Sequence, residues 1–127
     1  MRLRLAIGEK PLDWVGSAKQ DFLRFPLPVQ HEIGNALGLA QFGGKHPNAK
    51  PWKGEGPGVF EVVDDFDGDT YRAVYTVRFR LVVYVLHAFQ KKSPRGRRTA
   101  RTGIELIARR LKIARQDYEA RHGKSEN

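Results

Sequence analysis

The sequence contains no cysteine, which excludes a disulfide framework, a zinc–thiolate site and a thiol nucleophile. It also lacks any apolar run near the ~20 residues that a membrane-spanning helix needs, and its charged first seven residues are too short for a signal peptide. With 127 residues, 40% hydrophobic and 29% charged, the chain is expected to form a single domain over residues 1–127. A cytoplasmic location with no membrane partner is the simplest interpretation.

Signatures of metal-dependent and nucleotide-dependent enzymes are also missing. The four histidines, at positions 31, 46, 87 and 122, show no ligand spacing, and no Walker loop, dinucleotide-binding fingerprint or nucleophile elbow occurs. We therefore expect no cofactor and no metal.

Acidic residues are scarce in the C-terminal third of the chain. Lys and Arg number 23 against 14 Asp and Glu, a net charge of +9. Residues 1–86 are almost balanced, whereas residues 87–127 hold 12 of the basic residues and only 4 of the acidic ones. Such a cationic segment is typical of a protein that binds a polyanion, and nucleic acid is the commonest one for a compact cysteine-free domain.

Hydrophobic spacing in the N-terminal half predicts one strand followed by a helical hairpin. Residues 3–7 and residues 12–15 are both candidates for the strand, and the pattern does not decide between them. Ser17 and Gln20 have the spacing of a capping box for a short helix. Pro28 is well placed as the first residue of a second helix.

Glycine marks the second helix and the loop behind it. Gly34 and Gly38 lie one turn apart, and their presence in a helix predicts close packing against another helix. Gly43 is expected to end the helix. The Gly/Pro/Lys segment 43–58 reads as a loop that is long enough to indicate a function.

The middle of the chain predicts a β-hairpin and a buried strand. Residues 59–64 and 71–80 read as strands around an Asp67-Gly68 turn, and residues 81–89 are apolar on both faces, as in a central strand. A single strand over 71–89 would exceed the usual length of about 3–10 residues, so we expect a reversal near 78–81. Alternation places three arginines on one side of the sheet: Arg72, Arg78 and Arg80.

The C-terminal part predicts a basic loop over residues 90–99 and a long helix. Thr102 and Glu105 have the spacing of a capping box that would open this helix. Its expected buried stripe consists of Ile104, Ile107, Ala108 and Leu111, with Arg109, Arg110, Lys112 and Arg115 on or beside the outer face. The elements together predict an α+β fold: a small antiparallel sheet with an N-terminal helical hairpin and a C-terminal helix.

Several strings of residues resemble one family. These are Trp14-Val-Gly-Ser-Ala-Lys19, Phe25-Pro26, Tyr71-Arg72 with Tyr75-Thr76, and above all Val83-Tyr-Val-Leu-His-Ala-Phe-Gln-Lys-Lys-Ser93. Over roughly residues 10–115 the chain resembles the phage-derived, HigB-like branch of the RelE/ParE toxin superfamily.

The resemblance implies a RelE-like fold and a toxin of a type II toxin–antitoxin module. RelE and HigB proteins cleave mRNA, usually on the ribosome and without a metal, whereas ParE proteins inhibit DNA gyrase. The resemblance also implies a cognate antitoxin, which in this branch is usually a helix-turn-helix repressor of the HigA type. mRNA on the ribosome and this antitoxin are thus the expected partners.

Metal-free RNA cleavage needs three tasks done. A base deprotonates the 2′-OH, fixed cations stabilise the phosphorane, and an acid protonates the leaving 5′ oxygen. The resemblance implies that Arg72 contacts the scissile phosphate and that Lys91 and Lys92 help to stabilise it. The products would be a 2′,3′-cyclic phosphate and a 5′-OH.

The general base is left open by a departure from the RelE pattern. RelE has lysines on the strand that corresponds to residues 59–64, where this chain has Glu61, as ParE proteins tend to have. Glu61, His87, Lys50 or Lys53 are the alternatives for the base. In a two-residue hairpin, however, Glu61 lies diagonal to Arg72, and the two residues would then form a structural ion pair; His87 on an apolar strand face is typical of a core histidine.

The remaining basic residues are interpreted as phosphate contacts, against the alternative of a solvated surface. Such contacts position RNA without reading its sequence. They are Lys50, Lys53, Arg78, Arg80, Arg95, Arg97 and Arg98. The leading functional hypothesis is an mRNA endoribonuclease toxin; a ParE-like gyrase inhibitor and an inactive RNA-binding relative are the alternatives.

Overall fold

A five-stranded sheet forms the centre of the protein, and the predicted α+β class is confirmed. A computed structural model describes residues 5–91 and 97–124, with side chains from residue 102 onward in the second range. In chain order the elements are β1 (Leu12–Trp14), α1 (Ala18–Phe22), α2 (Leu27–Gln41), β2 (Ala49–Pro51), β3 (Val59–Phe66), β4 (Asp69–Thr76), β5 (Val83–Lys91) and α3 (Arg97–His122). The strand order is β1-β5-β4-β3-β2, with β1 parallel to β5 and the other pairs antiparallel.

Helices pack on both faces of the sheet, so the central strands are buried on both sides. On one face, α1 and α2 form a core with residues that include Phe22, Ile33 and Tyr75. On the other face, Ile107 and Leu111 of α3 belong to a second core. The predicted stripe of α3 is thus confirmed at these two positions. It is wrong at Ile104, which is 48% exposed.

The N-terminal strand is formed by the second of its two candidate segments. Leu12 to Trp14 pair with β5, whereas the described part of the first candidate, residues 5–7, contains no strand. A short strand that the sequence did not predict, β2, lies inside the segment interpreted as a loop, and Lys50 within it pairs with Glu61. Three residues are too few to show an alternating pattern.

Both predicted capping boxes are wrong. Ser17 does precede α1, but its hydroxyl donates to the Asp21 carboxylate at 2.8 Å and does not cap the helix. Helix α3 begins at Arg97, so Thr102 lies inside it. Helix α2 begins at Leu27, which places Pro28 in its first turn.

The β3–β4 hairpin closes as the sequence predicts. Asp67 and Gly68 both have positive φ, 53° and 84°, which is the geometry of a tight type I′ turn. The expected register follows, with Val63 opposite Arg72 and Glu61 opposite Val74. Strand β4 ends at Thr76, earlier than predicted, and the expected reversal occupies residues 77–82.

Arginines hold α3 in place on the sheet. Arg110, expected on the outer face, instead points inward and donates to the Leu86 carbonyl at 2.9 Å and to the Ser17 hydroxyl at 3.0 Å. At the other end of α3, Arg121 contacts the carboxylates of Asp13 and Asp117. Three of these contacts, with Leu86, Ser17 and Asp13, join α3 to residues distant in sequence.

No helix in the described part of the chain is both long and apolar enough to cross a membrane.

The prediction that Gly34 and Gly38 pack against a second helix is wrong. A Cβ added at either position would meet nothing within 4 Å, so both glycines lie on an open part of α2. Gly68 differs, because its φ of +84° is a conformation that side chains disfavour.

We expect Gly34→Ala and Gly38→Ala each to raise the free energy of unfolding by up to about 1 kcal/mol, because alanine is the better helix former. Gly68→Ala should lower it by about 1–2 kcal/mol, because alanine pays a steric cost at positive φ. Urea unfolding followed by circular dichroism measures all three. A destabilising Gly34→Ala would contradict the open environment.

Candidate functional site

Four charged side chains lie together on the face of the sheet that α3 also covers. We call Lys50, Glu61, Arg72 and Lys91 the charged patch. Lys50 is directly opposite Glu61, Arg72 is diagonal to Glu61, and Lys91 is diagonal to Arg72. Because paired residues and alternate residues of a strand share a face, the register places all four on one side, across β2, β3, β4 and β5.

Glu61 is the centre of the patch. Its Oε2 accepts a hydrogen bond from Arg72 Nη1 at 2.9 Å, and its Oε1 lies 3.9 Å from Lys50 Nζ. The side chain of Glu61 is 11% exposed and that of Arg72 is 20% exposed, whereas Lys50 is 60% exposed. The expected ion pair is therefore present, and it is shielded from water on most sides.

Arg72 uses few of its donors within the described part of the chain. Glu61 is the one hydrogen-bond partner found for it there, and its Nε is buried without a partner among those residues. A guanidinium has five N–H donors in a fixed fork that matches a phosphate. Arg72 thus retains donor capacity beyond its bond with Glu61.

Two of the predicted phosphate contacts, Arg78 and Arg80, lie after the end of β4 at Thr76. The strand alternation that fixes the face of Arg72 therefore does not extend to them. The guanidinium of Arg78 donates to the carbonyl of Pro57 at 2.9 and 3.1 Å, and also to the carbonyl of Glu55. It therefore holds the loop between β2 and β3. Arg80 is exposed in the reversal after β4, and Lys53 is exposed in the loop after β2.

The other predicted site residues can be placed only in part. Lys92 and Arg95 lie outside the described residues. Arg97 and Arg98 begin α3, and their side chains are likewise outside the described part.

His87 lies on β5 in the position diagonal to Arg72 of the charged patch. It pairs with Val74 and therefore shares the face of Arg72, and its ring stacks on that of Phe89 with centroids 4.7 Å apart at 20°. Burial, and after it the positive charge of the nearby Arg110, lowers the pKa of His87 from 6.5 to about 4. The imidazole is neutral at pH 7, and its Nδ1 is buried without a partner among the described residues.

Two aromatic residues near the patch complete the site. Trp52 is half-buried against the core under α3. Phe89 lies directly opposite Arg72, and the alternation of the buried strand already places it on one face with His87. Its alternate spacing with His87 and Lys91 was the signal for a shared face. In the described ranges, no three His, Asp or Glu side chains are grouped so that they could hold a metal ion.

The fold is that of a RelE-type protein. A double arginine-to-alanine mutant of the Escherichia coli toxin RelE, solved in the free state, superposes with a TM-score of 0.53. The identity is 17%, and the alignment covers 83% of this chain and 97% of that chain. No sequence among the curated proteins matches the chain.

The family follows from the sequence match. The family described as "Phage derived protein Gp49-like (DUF891)" matches residues 20–112. The chain therefore belongs to the phage-derived Gp49-like family, which confirms the predicted phage-derived family, and its likeness to the E. coli toxin RelE confirms the predicted fold.

The Glu61–Arg72 pair should contribute measurably to stability. We expect Glu61→Ala to lower the free energy of unfolding by about 2–4 kcal/mol, because it leaves Arg72 as a largely buried, unpaired charge. Glu61→Gln should cost less, because its amide oxygen still accepts the hydrogen bond. Urea denaturation measures both. The exposed Glu105→Ala is the control and should stay within about 0.5 kcal/mol of wild type; equal values for Glu61→Ala and Glu105→Ala would contradict the pair's role.

The environment of His87 predicts a pH dependence of stability. Because its pKa in the folded protein is about 4 rather than 6.5, the unfolded chain binds the proton more readily between these values. The free energy of unfolding should therefore fall as the pH drops from 6.5 to 4, and the fall should be smaller in His87→Asn. Denaturation curves at pH 7 and pH 4.5 test this. His31→Asn, at an exposed position of α2, should behave as wild type. An unchanged acid dependence in His87→Asn would contradict the burial of this imidazole.

Proposed function

We propose that this protein is the toxin of a type II toxin–antitoxin module and that it cleaves mRNA on the ribosome without a metal. The observation that supports this most directly is the position of Arg72 and Lys91. They lie diagonally on neighbouring strands and on one face, as two cations that grip a single phosphate must. Membership of the Gp49-like family and the RelE fold support the same proposal.

The proposed reaction uses the nucleophile of the RNA itself. The 2′ oxygen attacks the adjacent phosphorus, the bond from phosphorus to the 5′ oxygen breaks, and a 2′,3′-cyclic phosphate and a 5′-OH result. Arg72 and Lys91, together with Lys92, stabilise the charge that develops on the phosphorane. Removal of one such preorganised contact typically costs about 3 kcal/mol of transition-state stabilisation.

Glu61 is the strongest of the four candidates for the general base. Its carboxylate lies within the patch, 2.9 Å from the guanidinium that would hold the phosphate. His87 is a weak base, since its pKa is about 4, and Lys53 is exposed on a loop outside the patch. Lys50 is 3.9 Å from Glu61, and we assign it to the support of that carboxylate and to contact with RNA.

Other basic residues would position the RNA backbone without contacting the scissile phosphate. We assign this role to Lys53, Arg80, Arg95, Arg97 and Arg98, whereas Arg78 acts mainly on the loop that carries Lys53. The net charge of +9 also favours an acidic segment in a cognate antitoxin. We propose a helix-turn-helix antitoxin of the HigA type, and a small reading frame for such a protein next to this gene would support the module.

Primer extension on mRNA after brief expression tests the nuclease. Wild type should produce new 5′ ends, and Arg72→Ala and Lys91→Ala should each lower cleavage about 100-fold, as expected for a lost phosphate contact. Lys19→Ala, an exposed lysine on α1, is the charge-matched control and should cleave as wild type. Arg72→Lys keeps the positive charge, and circular dichroism shows whether each variant is folded. Together they distinguish a loss of catalysis from a loss of folding. Intact message with wild type would overturn the proposal.

Glu61→Gln tests the base separately. If Glu61 accepts the proton, this variant should fold and bind RNA but lose cleavage. Undiminished cleavage would remove Glu61 from the mechanism and leave the cationic contacts in place.

A ParE-like gyrase inhibitor is the second candidate, and one observation favours it. The carboxylate of Glu61 neutralises the charge of Arg72 in the free protein, which is unusual for a site that binds phosphate. A protein that only binds gyrase has no catalytic step for which Arg72 would have to be free. Supercoiling by purified gyrase, measured with and without the protein, separates the two functions. Inhibition of gyrase together with intact mRNA would favour this candidate.

A further inference from the structure

Strand β5 carries an aromatic pair in the same row as a lysine of the charged patch. His87, Phe89 and Lys91 occupy alternate positions of one strand and therefore share a face. The rings of His87 and Phe89 stack with centroids 4.7 Å apart at 20°, so each ring covers one face of the other and a further ring can stack only on an outer face of the pair.

The pair lies directly beside the cations. Phe89 is the cross-strand partner of Arg72, and such partners have Cβ atoms about 5 Å apart. Lys91 follows Phe89 on the same face. A chain that places a phosphate between Arg72 and Lys91 therefore has an aromatic surface within reach of the attached nucleoside.

Both rings are partly accessible. His87 and Phe89 are half-buried, and both line a depression of about 460 Å³ that Phe25, Tyr71 and Gln90 also border and that Arg72 and Lys91 do not line. The imidazole of His87 is uncharged at neutral pH because of its burial. Its ring can thus serve as a stacking surface in the same way as that of Phe89.

We propose that His87 and Phe89 form a stacking platform for the unpaired base of the nucleotide whose phosphate lies on Arg72 and Lys91. This inference rests on the proposed function and specifies its substrate: single-stranded RNA with a base turned out of its stack. Stacking uses the face of a base, which every base has, so the platform tolerates any sequence. Discrimination between codons would have to come from other contacts.

Binding of RNA that cannot be cleaved tests the platform. The probe is a labelled 2′-O-methyl oligoribonucleotide, and the matched probe is a labelled 2′-O-methyl abasic sugar–phosphate oligomer of the same length and charge. Fluorescence anisotropy at low salt gives both affinities. Wild type should bind the probe with bases about tenfold more tightly, as is typical for a stacked base.

Variants at position 89 identify the residue responsible. Phe89→Leu, which keeps most of the volume, should lose this tenfold preference and bind the abasic oligomer as wild type does. Phe89→Trp should keep the preference. Phe42→Ala, which removes a 56% exposed phenylalanine at the end of α2, should change neither affinity.

Each outcome decides the inference. The platform would be overturned if Phe89→Leu keeps the preference for the probe with bases, or if it loses the same affinity for both probes. It would also be overturned if wild type binds neither probe measurably. Since neither probe can be cleaved, these results are independent of nuclease activity. If mRNA stays intact but Phe89→Leu loses the preference, the nuclease proposal fails and the platform stands; if mRNA is cut but the preference is insensitive to position 89, only the platform fails.

Discussion

The register of the β3–β4 hairpin is the constraint on which the rest of the site depends. Asp67 and Gly68 both adopt positive φ, which closes the hairpin in two residues and leaves one possible pairing. Slippage by one residue would move every side chain of β4 to the opposite face. Arg72 would then lie among the residues that pack under α1 and α2, and Tyr71 would lie beside Glu61. A turn that ends four residues before Arg72 therefore decides whether the patch exists.

Glu61 gives this patch a character that cations alone would lack. A carboxylate at 2.9 Å holds Arg72 in one orientation and lowers the entropic cost of fixing a long side chain. It also competes with any phosphate for the same guanidinium. A ligand must therefore either displace Glu61 or use the remaining donors of Arg72. The planar fork of arginine allows the second route, in which Arg72 bridges carboxylate and phosphate through separate N–H donors.

The parts of the molecule that the sequence predicts are those determined by neighbouring residues. The Asp67-Gly68 turn, the pairing of Glu61 with Arg72 and the buried strand β5 all follow from local chemistry or from alternation. Three of the differences between prediction and structure have another origin. Arg110 faces inward because it reaches the Leu86 carbonyl and Ser17, and Arg78 is engaged by the carbonyls of a loop some twenty residues earlier. Partners so distant in sequence are invisible to periodicity, and so is β2, which exists only because β3 offers it an edge.

The family and the fold of this chain do not identify whether its target is RNA or gyrase. The RelE fold is shared by proteins that cut RNA and, in the wider superfamily, by proteins that act on gyrase without cutting anything, so function must be argued from the face of the sheet. On that face a nuclease and a gyrase inhibitor make different demands. An inhibitor gains from a neutral, rigid Glu61–Arg72 pair that packs against a protein surface. A nuclease needs the pair to share its cation with a phosphate and needs a surface nearby for the displaced base. The row formed by His87, Phe89 and Lys91 beside Arg72 fits the demands of a nuclease better than those of an inhibitor, and for this reason we propose RNA rather than gyrase as the target.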